Sequence, residues 1–452
     1  MNTMLCTRKA LCGLLAAVCV AAAQPAHAQD APPAVNQRLA AMDSVPQQAA
    51  PPGLAALLRD AFANSPRMAA ARALWQAAVE EYPQARALPD PSLNFTWFPE
   101  PVETRLGPNT AQIRVGQMFP APGKLSLKGD MAAARAELSR VQYEIAVRDV
   151  VTDVRISYAE LQYLQRALEI SQQNKDLVER LLAQVQKDYG ADAASLNDVL
   201  RVQAQLAQVS YDLLLIEELR QTEITHMNAL LNRAPQTPVA VAPLQSFTIP
   251  QLELENLYAV AELNRQEIRL ADIREQMGGI GLGLARKISS PDYNVGLVYN
   301  TIGSAMNPNT AGSGRDAWGI SVGMTLPIWS AHNRAALRGA EHARAAAQSG
   351  REQALNDARE KISNIYFKIR TSSRLVDLYE TTLAPQARQS LEQSDTWYNA
   401  GQATAAELIE VQAVWLNFEL ALARARADLE QNIARLEQAA GAPLNIRGGG
   451  AQ

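Results

Sequence analysis

Residues 92–98 read SLNFTWF. Alternation puts Leu93, Phe95 and Trp97 on one face of a strand and Ser92, Asn94 and Thr96 on the other. Three more segments alternate in the same way. In Gln112–Phe119, Ile113 and Val115 oppose Gln112, Arg114 and Gly116. In Tyr293–Asn300, Tyr293, Val295, Leu297 and Tyr299 share a face, and in Trp318–Leu326 Trp318, Ile320, Val322, Met324 and Leu326 oppose Gly319, Ser321, Gly323 and Thr325. Each strand therefore has one oily side, and periodicity alone fits either a lipid-facing barrel wall or the inner face of a soluble sandwich. Two features favour lipid. Four strands are few for a sandwich, and the chain has no short amphipathic helix suited to cover them. On this reading Leu93, Phe95, Trp97, Ile113, Val115, Val295, Leu297, Trp318, Ile320 and Val322 face hydrocarbon. Trp97, Phe98, Phe119, Tyr299, Trp318 and Trp329 near the strand ends suit an interfacial girdle. A membrane barrel needs about 8 strands at least and tolerates no open edge, so the lipid reading requires several copies of the chain.

The rest of the chain sets the compartment. Arg8 and Lys9 precede the apolar run Ala10–Ala23, which ends at Ala26-His27-Ala28, the small-x-small form of a signal-peptidase site. Residues 1–28 read as a cleaved signal peptide, since the run is shorter than the roughly 20 residues a spanning helix needs. Cys6, Cys12 and Cys19 all lie within it, so a mature chain has no thiol for disulfide or metal. Val18, where lipidation of Cys19 calls for a small residue, favours an unlipidated N-terminus. Without Arg8 and Lys9, 40 basic residues face 46 acidic ones, a net charge near −6 that argues against nucleic-acid binding. No run of 18 apolar residues follows residue 28.

A two-fold repeat organises the sequence. Asn64 and Asn264 open matching helical stretches running to Pro91 and Pro291, at an offset of 200. Phe119-Pro120 then matches Leu326-Pro327 at 207, and Val202-Gln203-Ala204 matches Val411-Gln412-Ala413 at 209. The predicted organisation is a Pro/Ala-rich linker over 29–53, a first repeat over 54–244, a second over 245–444 and a flexible tail over 445–452. Each repeat reads helix, strand, strand, very long helix, turn, helix. Asp130–Tyr189 contains neither glycine nor proline, 60 residues that reach about 90 Å as helix. Val202, Leu206, Val209, Leu213 and Ile216 follow a heptad-like spacing that packs on neighbouring helices. Arg351–Ala384 and Gln402–Ala440 are the second-repeat counterparts, with a kink or break expected at Pro385. Pro99–Thr110 and Thr301–Ala317 read as exposed loops joining the strands of each half.

This plan resembles the TolC-type outer-membrane efflux protein family over roughly residues 54–444. The resemblance rests on the duplicated order, on FPAPGKL at 119–125, on LPIW at 326–329 and on YNAGQATAAELIEVQA at 398–413. It implies a mostly α protein with a membrane β component: a homotrimer whose chains each give four strands to one 12-stranded barrel, continued by a periplasmic α-helical tunnel. It also implies a periplasmic adaptor protein and an inner-membrane efflux transporter as partners, outer-membrane lipid around the barrel, and a passive exit duct in the outer membrane of a Gram-negative bacterium. By the same resemblance the helical turns form the tunnel's periplasmic tip, with gate and adaptor contacts at Tyr189, Gly190, Tyr398 and Gly401. Glu407 and Glu410 then stand where relatives often carry acidic residues lining the entrance, and Asp198 is the first-repeat counterpart. A spacing of three puts Glu407 and Glu410 on one helical face, where an inward orientation would favour cations; the other reading is a pair of solvated surface glutamates. Either tyrosine could pack across subunits or fill a helix-pair interface. Gly401 precedes Glu407 by six residues and Gly190 precedes Asp198 by eight, so the first turn is expected to be longer. Ala403 occupies a position where some relatives carry a basic residue.

Catalytic signatures are missing. His226, His332 and His342 have no metal-binding spacing, Gly123-Lys124 lacks the rest of a phosphate loop, Gly279, Gly281 and Gly283 form no dinucleotide fingerprint, and no GxSxG occurs. The chain is read as a non-enzyme without cofactor or metal, its energy supplied by a partner. A duct for type I protein secretion and a periplasmic coiled-coil scaffold are the competing readings.

Overall fold

A computed structural model describes residues 52–244, 253–307 and 309–444. The predicted signal peptide with its three cysteines, nearly all of the 29–53 linker and the 445–452 tail lie outside the described residues. The chain divides into two compact units. The strand unit holds Gln76–Ala136 and Ile280–Ala340; the helical unit holds Val45–Trp75, Glu137–Gly279 and Glu341–Gln452, as far as these are described.

The strand unit is one antiparallel sheet of β1 (Ser92–Trp97), β3 (Gly107–Phe119), β4 (Tyr293–Ile302) and β5 (Ala317–Met324), in the order β1-β3-β4-β5. A two-residue strand β2 (Glu103–Thr104) pairs with the start of β3 inside what the sequence suggested was loop, so β3 begins five residues before Gln112. The Thr104 hydroxyl donates to the Gly107 carbonyl at 2.6 Å and closes that turn. β5 ends at Met324 rather than Leu326, and the Thr325 amide makes a last bond to the Asp292 carbonyl before Pro327 interrupts the donors. FPAPGKL is a junction: Lys124 Nζ lies 2.8 Å from Asp292 Oδ2, and the Ala121 amide donates to Asp292 Oδ1. That carboxylate ties the end of β3 to the start of β4 in the other repeat.

Helices α1 (Pro52–Asn64) and α2 (Pro66–Arg86) precede the strands of the first repeat, and α5 (Leu254–Asn264) and α6 (Gln266–Lys287) precede those of the second. The single leading helix expected in each repeat is thus two, broken at Ser65 and Arg265, which differ by the repeat offset of 200. The long helix α3 (Lys124–Gly190) has 67 residues, about 100 Å of helix, and returns through α4 (Leu196–Leu230). In the second repeat α7 (Ser330–Leu378), a π-helical turn (Tyr379–Leu383) and α8 (Ala384–Asn399) run to the turn before α9 (Ala405–Ala440). α7 starts 21 residues ahead of the expected Arg351 and carries Gly339 and Gly350 within it, each with open space around it.

Equivalent cores hold the two repeats of the helical unit. Leu57, Ala61, Val154, Leu161, Ile224 and Met227 form one; Leu257, Ala261, Ile362, Ile369, Ile433 and Leu436 form the other. The offset is 208 at Leu161/Ile369 and 209 at Tyr189/Tyr398, so the second repeat has one extra residue between them. The π-helical turn falls in that interval and absorbs it, with the Ala384 amide bonding back to the Tyr379 carbonyl. Pro385, which cannot donate to Thr381, sits just after this loosened turn, so the predicted break is a widening of a continuous helix. α3 and α9 are joined by Arg424–Glu160 at 2.8 Å and by Arg155–Glu437, with α4 packing beside them through Val199, Val202 and Val209.

Candidate functional site

Two features of the chain stand out from ordinary packing: the open sheet and the pair of turns where α3 meets α4 and α8 meets α9.

Strand register aligns every predicted oily residue on one side of the sheet. Phe95, Ile113, Tyr299 and Trp318 form one cross-strand row, Leu93, Val115, Leu297 and Ile320 the next, and Val295 with Val322 a third. Ser92, Gly116, Gly296 and Ser321, and Thr96, Gln112 and Asn300, line the opposite side. The oily side is uncovered: Phe95, Ile320 and Val322 are 67, 70 and 75% exposed, and Leu93, Trp97, Val295 and Trp318 are exposed too. Ile113, Val115 and Leu297 are half-buried because their strands have neighbours on both sides. The sheet does not close, and β1 and β5 each keep one unpaired edge.

The two turns are copies. In the first, the Asp192 amide bonds to the Tyr189 carbonyl and the Ala193 amide to the Asp188 carbonyl; in the second, Gly401 bonds to Tyr398 and Gln402 to Trp397. Each pair differs by 209, and both are helix ends closed by a left-handed residue. That residue is Gly401 at φ 72° and Asp192 at φ 58°. The expectation of a longer first turn is therefore corrected: Gly190 is the last residue of α3, and the partner of Gly401 is Asp192, a type of residue that tolerates the left-handed region better than most.

Helix starts repeat as well. Ser195 and Asp198 form a capping box on α4, and Thr404 and Glu407 form one on α9. The Ser195 hydroxyl donates to Asp198 at 2.6 Å, and the Thr404 amide donates to Glu407 at 2.7 Å. The Ser195 hydroxyl, then its amide, hold the Asp198 carboxyl below the usual range; the Thr404 amide, then its hydroxyl, do so for Glu407. Both carboxylates thus have a local structural task, which the S-x-x-D and T-x-x-E spacings already carried in the sequence. Glu410 is exposed, and its 209-offset counterpart is not acidic but Arg201, also exposed.

The tyrosines differ. Tyr398 is half-buried against the core of Val178, Leu181, Val185, Val199, Val202 and Leu408, and burial together with Asp188 raises its phenol to about 12. Tyr189 is exposed. Two apolar stripes accompany this asymmetry. α4 exposes Leu196, Leu200, Tyr211, Leu214 and Leu219 on the side away from its heptad stripe, and α7 with α8 exposes Phe367, Leu375, Leu378 and Trp397. Among the described residues no helix is long and apolar enough to cross a membrane, and no group of His, Cys, Asp and Glu could hold a metal ion.

A strand pair and long helices are thus given twice, with an oily sheet face and capped helical turns. The sequence profile described as outer membrane efflux protein matches residues 57–233 and 257–442, so the chain belongs to that family, one of channels and not of enzymes. No curated protein sequence matches it. Solved structures share the fold. The outer membrane protein VceC of Vibrio cholerae superposes with a TM-score of 0.72 at 21% identity, over 86% of this chain and 96% of that one. The CmeC outer membrane channel of Campylobacter jejuni gives 0.72 at 14%, over 86% of each chain. The open-state MtrE outer membrane channel of Neisseria gonorrhoeae gives 0.69 at 19%, over 87% and 89%.

Proposed function

We propose that three copies of this chain pool their four long strands into one twelve-stranded barrel in the outer membrane and form a passive exit duct of a tripartite efflux pump. The observation that carries the reading is the sheet itself. Its oily side exposes Leu93, Phe95, Trp97, Val295, Trp318, Ile320 and Val322 and both edges are open, a combination that is costly in water and impossible in lipid unless copies join edge to edge. Leu93, Phe95, Trp97, Ile113, Val115, Val295, Leu297, Trp318, Ile320 and Val322 then meet hydrocarbon. The stripes on α4 and on α7 and α8 lie on the helices that flank the α3–α9 pair, and packing one against the other in the next copy buries both.

In this duct the turns at Tyr189–Asp192 and Tyr398–Gly401 form the periplasmic mouth, where a periplasmic adaptor and, through it, an inner-membrane transporter deliver cargo. Asp198, Glu407 and Glu410 outnumber Arg201 there and give the mouth a negative potential that favours cations. The duct does no chemistry, and its partner supplies the energy.

The purified full-length protein tests this. A trimer recovered from outer-membrane fractions with single-channel conductance in planar bilayers supports the duct; a soluble monomer without conductance defeats it in favour of a periplasmic scaffold. Glu407→Gln with Glu410→Gln is expected to lower cation preference while leaving assembly intact, and unchanged selectivity removes the acidic mouth.

A further inference from the structure

The side of the sheet opposite the oily one carries one fixed charge. Among the residues of β1, β3, β4 and β5, only Arg114 is charged. It sits at mid-strand in the row Asn94, Arg114, Val298, Gly319, flanked along β3 by Gln112 and Gly116. The side chain is exposed. Nearby Gly116, Gly319 and Ser321 are small, and a Cβ built at Gly319, in the same row, meets nothing within 4 Å. Three of the carboxylates flanking the strands have other partners: Asp292 binds Lys124, Asp316 accepts from the Tyr299 hydroxyl and the Ile302 amide, and Glu103 accepts from the Met306 amide.

We infer that Arg114, present once per copy, forms a cationic ring inside the barrel that makes the outer exit of the duct easier for acidic solutes than for cations. The inference rests on the barrel reading. At mid-strand in a membrane wall an arginine on the lipid side is strongly destabilising, so a folded barrel keeps this one on the water side, where its register already puts it. Three positive charges against a low-dielectric wall, among neutral Asn, Gln, Ser and Thr side chains, attract anions over a distance set by salt. That distance is about 30 Å at 0.01 M and about 3 Å at 1 M, so the preference is strong in dilute salt and fades in concentrated salt. The ring acts in series with the acidic mouth and opposes it.

Reversal potentials of full-length channels in planar bilayers under a potassium chloride gradient read this out. In dilute salt Arg114→Gln is expected to lower the anion-to-cation permeability ratio roughly twofold or more, Arg114→Lys to keep it, and the difference to vanish near 1 M. Arg114→Cys lets the charge be changed after assembly, which separates charge from folding: a cationic methanethiosulfonate reagent restores the ratio and an anionic one lowers it below that of Arg114→Gln. Identical ratios across these channels, or a thiol that neither reagent reaches, overturn the ring. A wild-type protein that conducts while Arg114→Gln leaves selectivity unchanged removes the ring alone; a wild-type protein that forms no channel removes the barrel and the ring with it.

Discussion

The strand unit and the helical unit bury their apolar residues in opposite senses. Val202 and Val209 of α4 point into a protein core and are inaccessible, whereas Phe95, Ile320 and Val322 of the sheet stand in the open. Both sets are regular in sequence, one with a heptad spacing and one with strict alternation. The difference lies in what each face is left to meet, because a long helix folds back on its hairpin partner, whereas among the described residues nothing covers the oily face of the four strands.

A charge on the oily face of the sheet has the largest expected effect. Leu297→Asp on the half-buried middle of β4 is expected to abolish trimer formation, at about 3 kcal/mol for each carboxylate placed in hydrocarbon, while far-ultraviolet circular dichroism still reports the helices. Normal trimer yield counts against lipid on that face. Truncation separates the two sides of α4 next. Val202→Ala, at a site with no exposure, is expected to lower thermal stability by roughly 2 kcal/mol through lost burial and the cavity left behind. Leu214→Ala, at a site 65% exposed in the single chain, is expected to leave chain folding within about 0.5 kcal/mol but to reduce trimer recovery. Equal effects on both readouts from the two variants dissolve the distinction between core and subunit contact.

Smaller effects sharpen the comparison of the two tip turns. Gly401→Ala is expected to destabilise its turn by roughly 1–2 kcal/mol, and Asp192→Gly to stabilise the other by up to about 1 kcal/mol, since both positions hold a left-handed backbone. Limited proteolysis at each turn measures this, and the opposite order sinks the equivalence of Asp192 and Gly401. The second turn carries an alkaline limit at Tyr398. Its phenol is raised from 10.0 to about 12 by burial beside Asp188, so the fold favours the neutral form. That contribution is complete below pH 10, and it is lost as pH rises through about 12. Phenolate absorbance together with tip proteolysis is expected to show this loss, and Tyr398→Phe to remove it.

Much of this was legible beforehand because periodicity is a local property. Alternation in SLNFTWF and in Trp318–Leu326 located strands, and uninterrupted helix formers located α3. Boundaries failed where local signals mislead: the long helix of the second repeat was expected from Arg351 but begins at Ser330, and Pro99–Thr110 read as loop although β2 pairs within it. Gly190 stands beside the first turn in the sequence, while the backbone places Asp192 at its left-handed position. The capping boxes at Ser195 and Thr404 were readable but hidden behind a functional reading of the same carboxylates.

By itself, the order of residues determined which segments alternate, which coil, and that the plan is written twice, since these depend on spacing along one chain. Only the tertiary structure decided that four strands from two distant halves share one register, that the extra residue of the second repeat is taken up by a π-helical turn, and that Tyr398 is sheltered while Tyr189 is not. Those outcomes depend on which surfaces meet across some two hundred residues, and no spacing within a segment encodes them.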